Sequence, residues 1–465
     1  MIVTIQTILD HFRAALQLLA LAVLLSACSK EEVGERPLSL LAITANGINL
    51  VDGAINVPGT PTFELTFSAA LDPGKFESAF SLSTATGAIQ PGFSYANATS
   101  KAIVTANGLA FNTAYTLKVA RGALGQNGEV LDKEVSLNFT TVDGGLITEM
   151  EPCVAATGAC LETAAITNGA GAAGNFDFYS SYPAYQDNAR WEKLKYAVIV
   201  AHGQNRDADN YFTYLMATLR NESLEDNTVL MAPFFKSASD AGSGALYWNT
   251  SGWREGQNSD DATGVSSFEV ADQLLARLAD KEHFPVLEKV IITGHSSGAL
   301  FTQAYAAANQ AEGLYPDIEF HYVVANSQYF YYPDDVRFDE STGQFVEPAG
   351  CPAFNRWPLG FVGPPDYLSG VEESTVDRQI IERQVVYLLG SSDTSTSGTL
   401  NTADCEAVLL GPNRFKRGEY LYLLMQANHS GAHNSRKIIV NGVGHDAQGM
   451  YQSMAFRTLL RELLN

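Results

Sequence analysis

Residues 290–299 read Val290-Ile291-Ile292-Thr293-Gly294-His295-Ser296-Ser297-Gly298-Ala299, and this stretch decides the fold. An apolar run enters a G-x-S-x-G pentapeptide, and alanine-rich sequence of helical character follows it. A serine in this pattern, between a strand and a helix, is typical of a nucleophile elbow, a turn so tight that the two glycines must lack side chains. The stretch therefore predicts that the Ser296 hydroxyl stands at the end of a strand, with the N-terminus of a helix aimed at it.

A serine hydroxyl needs a base to become a nucleophile at neutral pH, and that base needs a group that orients it. Two further apolar segments end in suitable residues. Residues 384–390 lead to Asp393, and residues 437–440 lead to His445. The order serine, acid, histidine along the chain is the one that accompanies this type of elbow. Asp393 is therefore predicted as the acid and His445 as the base, with Asp404 as the alternative acid.

An oxyanion that develops during acyl transfer needs two backbone N–H groups aimed at it. The amide of Ser297, directly after the nucleophile, is predicted to supply one of them. The other is expected from the loop after an early apolar strand, where residues 196–206 read YAVIVAHGQNR. The amide of Gln204 or of Asn205 fits this role, and Gln204 is favoured. His202 is interpreted as a structural turn residue.

Six segments of the chain form a recognisable series: HGQNR at 202–206 with Tyr211-Phe212, GHSSG at 294–298, VANS at 324–327, CPAFNRW at 351–357, DCEA at 404–407 and GVGHD at 442–446. On these segments, residues 196–465 resemble the α/β-hydrolase superfamily and, more narrowly, a branch of serine hydrolases found in bacteria, fungi and plants. Ala299-Leu300 stand where a second glycine and a glutamine are usual in that branch. The resemblance implies a doubly wound, mostly parallel sheet and hydrolysis of carboxylic esters through an acyl-enzyme, with no cofactor.

The N-terminus predicts export. Residues 14–25 are almost wholly apolar and lead into Leu25-Ser26-Ala27-Cys28. An apolar run of this length is typical of a signal peptide and is too short for a permanent transmembrane helix. The cysteine resembles that of a bacterial lipobox, which implies removal of residues 1–27 and lipidation of Cys28. With Ser29 next, the resemblance points to the outer membrane of the cell envelope. An ordinary secretory signal is the alternative.

Four cysteines remain after such processing: Cys153, Cys160, Cys351 and Cys405. An even number in an exported chain predicts two disulfides, for which three pairings are possible. The short spacing of Cys153 and Cys160 favours a small closed loop, which would leave Cys351 to pair with Cys405. Metal binding is the alternative, but the sequence has no C-x-x-C pair with a histidine cluster, so no metal site is predicted.

Residues 38–142 carry short alternating segments separated by Asp-Pro-Gly, Asn-Gly and Pro-Gly turns, which predicts an all-β sandwich. This part resembles bacterial Ig-like domains. The resemblance implies a spacer, with sugar binding as the alternative. The motifs that carry it are Ala45-Asn46-Gly47, Asn56-Val57-Pro58, Phe67-Ser68 and Leu71-Asp72-Pro73.

The rest of the chain divides by composition. Residues 28–37 are predicted as a charged tether and residues 143–190 as a linker and N-terminal wrap. Residues 191–465 are predicted as the catalytic domain. Within it, residues 328–380 are rich in proline and aromatic residues and are predicted to form a lid-like insertion. The formal net charge of −22 argues against nucleic acid as a partner, because no basic patch is present to neutralise phosphates.

The sequence as a whole predicts an exported, lipid-anchored serine hydrolase that acts on small or polymeric esters. Three alternatives share parts of this pattern. The first is a depolymerase of polyester or cell-wall esters that uses the Ig-like domain as a binding module. The second is a serine peptidase, and the third is a surface adhesin without catalytic activity.

Overall fold

The computed structural model describes residues 36–106, 108–142 and 147–464. The chain divides into two compact units, Met1–Asp143 and Gly144–Asn465. The predicted signal peptide, Cys28 and most of the tether lie outside the described residues. Within the described part, no helix is long and apolar enough to cross a membrane.

The first unit is a sandwich of two five-stranded sheets, with strand orders β2-β1-β4-β8-β7 and β3-β10-β9-β5-β6. Side chains alternate along each strand, and in β4 the residues Phe63, Leu65 and Phe67 are buried while their neighbours are half-exposed. These residues and Phe139 form the core between the sheets. The predicted β-sandwich is confirmed. The strands are β1 (Leu40–Ala45), β2 (Ile48–Asn49), β3 (Ala54–Val57), β4 (Thr62–Phe67), β5 (Phe80–Ser83), β6 (Ala88–Ile89), β7 (Gly92–Ala96), β8 (Lys101–Thr105), β9 (Ala114–Val119) and β10 (Val135–Thr141).

A short helix, α1 (Pro73–Ala79), which was not predicted, lies between β4 and β5. Asp72 begins it by accepting a hydrogen bond from the backbone of Lys75, and proline at the first helical position has the backbone angle that a helix needs. The aromatic ring of Phe76 anchors the helix in the sandwich core.

The second unit is built on an eight-stranded sheet with the order β11-β12-β14-β13-β15-β16-β19-β20. The last six strands in this order, from β14 through β13, β15, β16 and β19 to β20, all pair in parallel. β13 is buried along its whole length, as expected for a strand covered on both faces. The strands are β11 (Leu161–Thr167), β12 (Ala173–Ser180), β13 (Tyr196–Ala201), β14 (Thr228–Pro233), β15 (Lys289–His295), β16 (Glu319–Ala325), β17 (Arg337–Asp339), β18 (Gln344–Val346), β19 (Val385–Gly390) and β20 (Arg436–Val440).

Helices cover both faces of this sheet and give two separate cores, one on each side. The helix after β15 is buried along its whole length, which explains its alanine-rich sequence. A capping box of Ser266 and Glu269 begins the helix before β15. The helices are α2 (Ala208–Asn221), α3 (Ser267–Ala279), α4 (Ser297–Ala308), α5 (Glu373–Glu382), α6 (Cys405–Val408), α7 (Arg414–Asn428), α8 (Ala447–Gln452) and α9 (Met454–Leu464).

The assignment of residues 161–180 to a linker and wrap was wrong. These residues form the antiparallel hairpin β11–β12, and β12 pairs with β14 to complete the sheet. Their small residues hide the alternation, although Ala164 and Ile166 face the core. The second unit, predicted to be the catalytic domain, therefore begins well before residue 191.

The insertion at 328–380 contains the small β17–β18 hairpin and the start of α5. A buried arginine, Arg337, stands at its centre and donates hydrogen bonds to the carbonyl oxygens of Asp334, Val336, Phe354 and Leu359. Its guanidinium also lies 4.1 Å from the ring centre of Tyr332. The hydrogen bonds of Arg337 thus hold together parts of the segment that have little regular structure. The role of the segment as a lid stays a prediction.

Candidate active site

Ser296 lies in a strained turn between β15 and α4, with backbone angles φ 60° and ψ −116°. Positive φ is unfavourable for a residue with a side chain, so tight packing must enforce it. A side chain at Gly294 would lie 2.1 Å from the carbonyl oxygen of Gly298, and one at Gly298 would lie 2.1 Å from that of Ala201. Both glycines of the pentapeptide are therefore required by close backbone contacts, as in a nucleophile elbow.

His445 connects this serine to a carboxylate. Its Nε2 lies 3.0 Å from the Ser296 hydroxyl oxygen, and its Nδ1 lies 2.7 Å from Asp393 Oδ2. In this geometry the carboxylate accepts the Nδ1 proton, which leaves the Nε2 lone pair facing the serine hydroxyl. The structure thus brings the three predicted residues together. Asp404 instead accepts a hydrogen bond from Asn401 at 2.8 Å and precedes α6.

Asp393 is buried, and its second oxygen faces a positive charge. Nη1 of Arg414 lies 3.9 Å from Asp393 Oδ1, and that oxygen has no hydrogen-bond partner among the described residues. Burial lowers the pKa of Arg414, and the charge of Asp393 opposes this effect. Arg414 was not predicted, because no motif distinguishes an arginine that opens a helix from any other.

Asn326 joins the loops that carry the acid and the base. Its Oδ1 accepts a hydrogen bond from the amide of Gly390 at 2.7 Å, and its Nδ2 donates to the carbonyl of Gly444 at 2.9 Å. It is buried at the end of β16 with φ 51°, a conformation that asparagine tolerates better than most residues. Asn326 belongs to the motif VANS at 324–327, for which no role was predicted.

A second histidine, His295, lies beneath the elbow. Its Nδ1 is 3.5 Å from the hydroxyl of Tyr211, and its Nε2 is 3.5 Å from Asn326 Nδ2. Burial lowers the pKa of His295 well below its usual value, and the positive charges of His445 and Arg414 lower it further. His295 is therefore a neutral ring in the folded protein.

The loop after β13 places Gln204 beside the elbow. The amide of Arg206 donates to the carbonyl of Gly203, so Gln204 and Asn205 form the centre of a turn. The hydroxyl of Ser297 donates to Gln204 Oε1 at 3.0 Å. The structure therefore brings Gln204 and Ser297 into direct contact, while no side-chain contact joins Asn205 to the elbow among the described residues.

His202 lies under this turn in the structural position that was expected of it. Its Nδ1 lies 2.8 Å from the carbonyl of Gly203, and its Nε2 accepts the amide of Phe235 at 3.1 Å. Burial lowers the pKa of His202 to about 4, so the ring is neutral near pH 7. It holds the turn rather than exchanging protons with Ser296.

The two predicted disulfides are confirmed. Cys153 pairs with Cys160, and Cys351 pairs with Cys405, with Cα atoms 5.6 and 5.8 Å apart. Glu406 lies close to the second pair, but disulfide sulfurs are not the thiolates that metals bind. The second bond attaches the insertion at 328–380 to the loop that follows Asp393.

The family model described as a bacterial Ig-like domain matches residues 41–141 of the chain. No curated protein matches the sequence. Among solved structures, the chain is similar to the LpqC poly(3-hydroxybutyrate) depolymerase from Bordetella parapertussis, at 19% identity over 60% of this chain and 82% of that one, with a TM-score of 0.42.

Two further solved structures are similar. Poly(aspartic acid) hydrolase-1 from Sphingomonas sp. KT-1 has 18% identity over 66% of this chain and 98% of that one, with a TM-score of 0.45. The siderophore hydrolase EstB from Aspergillus nidulans has 12% identity over 65% of this chain and 95% of that one, with a TM-score of 0.36.

The fold of the second unit follows from its own topology. Three parallel strands lead into the site at the carboxyl edge of the sheet. β15 leads to the elbow at Ser296, β19 to the loop of Asp393, and β20 to the loop of His445. Their order along the chain is the one that accompanies a G-x-S-x-G elbow in an α/β-hydrolase sheet. The chain thus contains a bacterial Ig-like domain at residues 41–141, followed by a unit with the α/β-hydrolase fold.

Proposed function

We propose that the second unit is a serine hydrolase that cleaves carboxylic esters through an acyl-enzyme. The observation that carries this proposal is the hydrogen-bonded series Ser296–His445–Asp393, with distances of 3.0 and 2.7 Å, on a strained elbow. These are the distances over which a base takes a proton from a nucleophile.

In the first half of the reaction, Ser296 Oγ attacks the ester carbonyl carbon while His445 Nε2 takes the hydroxyl proton. The carbonyl electrons move to oxygen, where the amides of Ser297 and of Gln204 or Asn205 would stabilise the negative charge. The intermediate then collapses, the bond to the leaving oxygen breaks, and His445 gives its proton to the departing alcohol.

In the second half, water attacks the acyl-enzyme and His445 accepts a proton from that water. Collapse of the second tetrahedral intermediate releases the carboxylic acid, and the proton returns to Ser296 Oγ. Asp393 holds the imidazole in the required tautomer and stabilises the imidazolium in both halves. The groups that act in these steps are side chains and backbone amides of this protein, together with water.

The test is a substrate panel with an active-site label. We expect the purified protein to hydrolyse p-nitrophenyl esters faster than matched aminoacyl amides, and a fluorophosphonate to label Ser296. Ser296→Ala should abolish both signals while far-UV circular dichroism stays unchanged, since loss of a triad member costs several orders of magnitude. Cleavage of amides in preference to esters would favour the peptidase alternative, and unchanged turnover in Ser296→Ala would exclude the mechanism.

A depolymerase is the second candidate, and one feature of the Ig-like domain favours it. Four aliphatic side chains are 62–72% exposed: Leu41 on β1, Ile48 on the edge strand β2, Ile55 on the edge strand β3, and Val51 between these two edge strands. Large exposed apolar side chains mark binding surfaces where they form a patch, and a solid polyester is an apolar surface. If they bind polymer, changing all four to serine should lower retention on polyester granules without changing turnover of soluble esters.

We also propose that the protein is lipid-anchored at Cys28 in the bacterial cell envelope, at the outer membrane. Support comes from the apolar run that precedes Leu25-Ser26-Ala27-Cys28. Cys28→Ala should prevent incorporation of labelled palmitate and leave the signal peptide uncleaved. Normal processing of that variant would favour an ordinary secretory signal.

A further inference from the structure

Arg254 connects the two loops that would form the oxyanion hole. Its Nη1 donates to Gln204 Oε1 at 3.3 Å and to Ser297 Oγ at 3.2 Å. The hydroxyl of Ser297 donates in turn to Gln204 Oε1 at 3.0 Å. The three side chains therefore form a closed triangle of hydrogen bonds beside the nucleophile.

The guanidinium of Arg254 is held in place from outside this triangle. Its Nε donates to Glu255 Oε1 at 3.2 Å, and its plane lies 5.6 Å from the ring centre of Tyr329. The residue belongs to a 3₁₀ turn, Ser251–Glu255, that Thr250 caps. The side chain is only 14% exposed. A charged group fixed in this way is preorganised rather than free to follow solvent.

The charge of Arg254 is already matched inside the protein. Glu255 lies against it, and burial raises the pKa of that carboxyl while the charge of Arg254 lowers it. Nε is used by Glu255, and Nη1 is shared by Gln204 and Ser297. These contacts favour a role in fixing neighbouring side chains over a role in capturing an anionic substrate.

Fixing these neighbours matters because they belong to different loops. Gln204 lies in an exposed turn after β13, and Ser297 opens α4. An oxyanion hole accelerates the reaction only if its donors are in place before charge develops. A bridge between the two loops would keep both amides at the correct separation without rearrangement during the reaction.

We propose that Arg254 is a positioning residue that clamps the two halves of the oxyanion hole together. This inference rests on the proposed function, since it assumes that the amides near Gln204 and Ser297 receive the oxyanion. Arg254 contacts neither the reacting atoms nor His445 in this arrangement, and it acts through Gln204 and Ser297.

The test compares Arg254→Met, Arg254→Lys and the control Arg378→Ala, whose arginine makes an exposed ion pair with Glu382 on α5. Four quantities are measured: kcat and KM on a neutral soluble ester, the rate constant for fluorophosphonate labelling of Ser296, and the inhibition constant of a trifluoromethyl ketone. The phosphoryl oxygen of the label and the former carbonyl oxygen of the ketone, in the hemiketal it forms with Ser296, both occupy the oxyanion position.

For Arg254→Met we expect kcat and the labelling rate to fall by about 10- to 100-fold, below the loss from removing a direct donor. The inhibition constant should rise by a similar factor, whereas KM should change by less than about twofold. Arg254→Lys keeps the charge without the planar fork and should be almost as impaired. Arg378→Ala should match the wild type.

A double-mutant cycle with Gln204→Ala supplies an independent criterion. If the two side chains act as one bridge, the second substitution should cost little once the first is present. Additive losses would overturn the inference, as would full activity of Arg254→Lys or a loss restricted to anionic esters. Absence of labelling in the wild type would overturn the proposed function itself, whereas equal labelling of the wild type and Arg254→Met would overturn the inference alone.

Discussion

The rings of His295 and His445 face each other with their centroids 4.6 Å apart. In the proposed mechanism His445 becomes a cation when it takes the serine proton, so a second cation at this distance would oppose catalysis. Burial of His295 prevents a second charge, because it lowers the pKa of His295 well below the usual value for histidine. A neutral imidazole can therefore pack against the proposed base without opposing its charge.

The first prediction concerns the pH dependence of activity. On the acid side, kcat/KM should fall with a slope of one, because His295 stays neutral and adds no second ionisation. His295→Gln should keep the single ionisation even if turnover falls. A wild-type profile that falls with a slope of two, and returns to one in His295→Gln, would contradict the assignment of His295 as neutral.

The second prediction concerns stability. His202 has a pKa of about 4 when folded and about 6.5 when unfolded, so the unfolded chain binds its proton first as the pH falls. Its contribution to stability is complete above pH 6.5 and is lost as the pH falls toward 4. Glu162 works in the opposite direction, because burial raises its pKa to about 7.

A variant isolates the contribution of the histidine. Relative to wild type, the unfolding free energy of His202→Gln should fall less steeply between pH 6.5 and 4.5, by at most about 1.4 kcal/mol per pH unit. Urea unfolding at a series of pH values measures this. Parallel curves would show that His202 is not held neutral.

The third prediction separates the two candidate acids. Asp393→Asn should lower kcat by about 10⁴-fold, because the amide favours the wrong tautomer of His445. Asp404→Asn should cost far less, since Asp404 contacts Asn401 instead. Steady-state rates on one ester suffice for the comparison, and the reverse ranking would move the acid to Asp404.

The fourth prediction tests the role of Asn326. Asn326→Gly tolerates the positive φ but removes the hydrogen bonds to Gly390 and Gly444. We expect kcat to fall by about 10-fold or more, with a smaller effect on KM, because the loops of Asp393 and His445 lose their common support. Asn326→Asp keeps the acceptor for Gly390 and should retain more activity than the glycine variant. Equal activity of wild type and Asn326→Gly would remove Asn326 from the site.

The fifth prediction concerns the Ig-like domain. A chain that begins at Gly144 should fold and hydrolyse soluble esters at the rate of the complete mature protein, because the two units have separate cores. Circular dichroism and ester turnover measure this. Loss of activity on soluble esters by a folded truncated chain would mean that the first unit contributes to the active site, whereas loss only on solid polymer would assign it to binding.

The parts of the site that could be predicted are those in which local sequence determines geometry. The elbow needs glycines at fixed positions around Ser296, and the buried parallel strands β15 and β19 appear as continuous apolar runs before Ser296 and Asp393. The shorter apolar run before His445 forms the half-buried edge strand β20. The disulfide pairing followed from one short spacing. Each of these signals lies within a few neighbouring residues.

The residues that were missed act across loops. Arg254, Asn326 and Arg414 gain their roles only when distant strands are brought side by side. Asn326 lies in the motif VANS, which carries no indication of its role, and nothing in the residues around Arg254 and Arg414 distinguishes these two arginines from ordinary surface or turn residues. The β11–β12 hairpin was missed for a different reason, since its alanines and glycines weaken the alternation that identifies a strand.

The bond between Cys351 and Cys405 makes the state of two thiols matter for the proposed site. It closes a loop across 54 residues and attaches the segment after Asp393 to the insertion. Closure of a loop of this size removes conformational freedom from the unfolded chain worth about 4 kcal/mol. A chain with free thiols lacks this restraint near the proposed acid, so we expect full hydrolytic activity only after the two thiols are oxidised. Under the proposed export of the chain, esters in the reducing compartment where it is synthesised would then be spared.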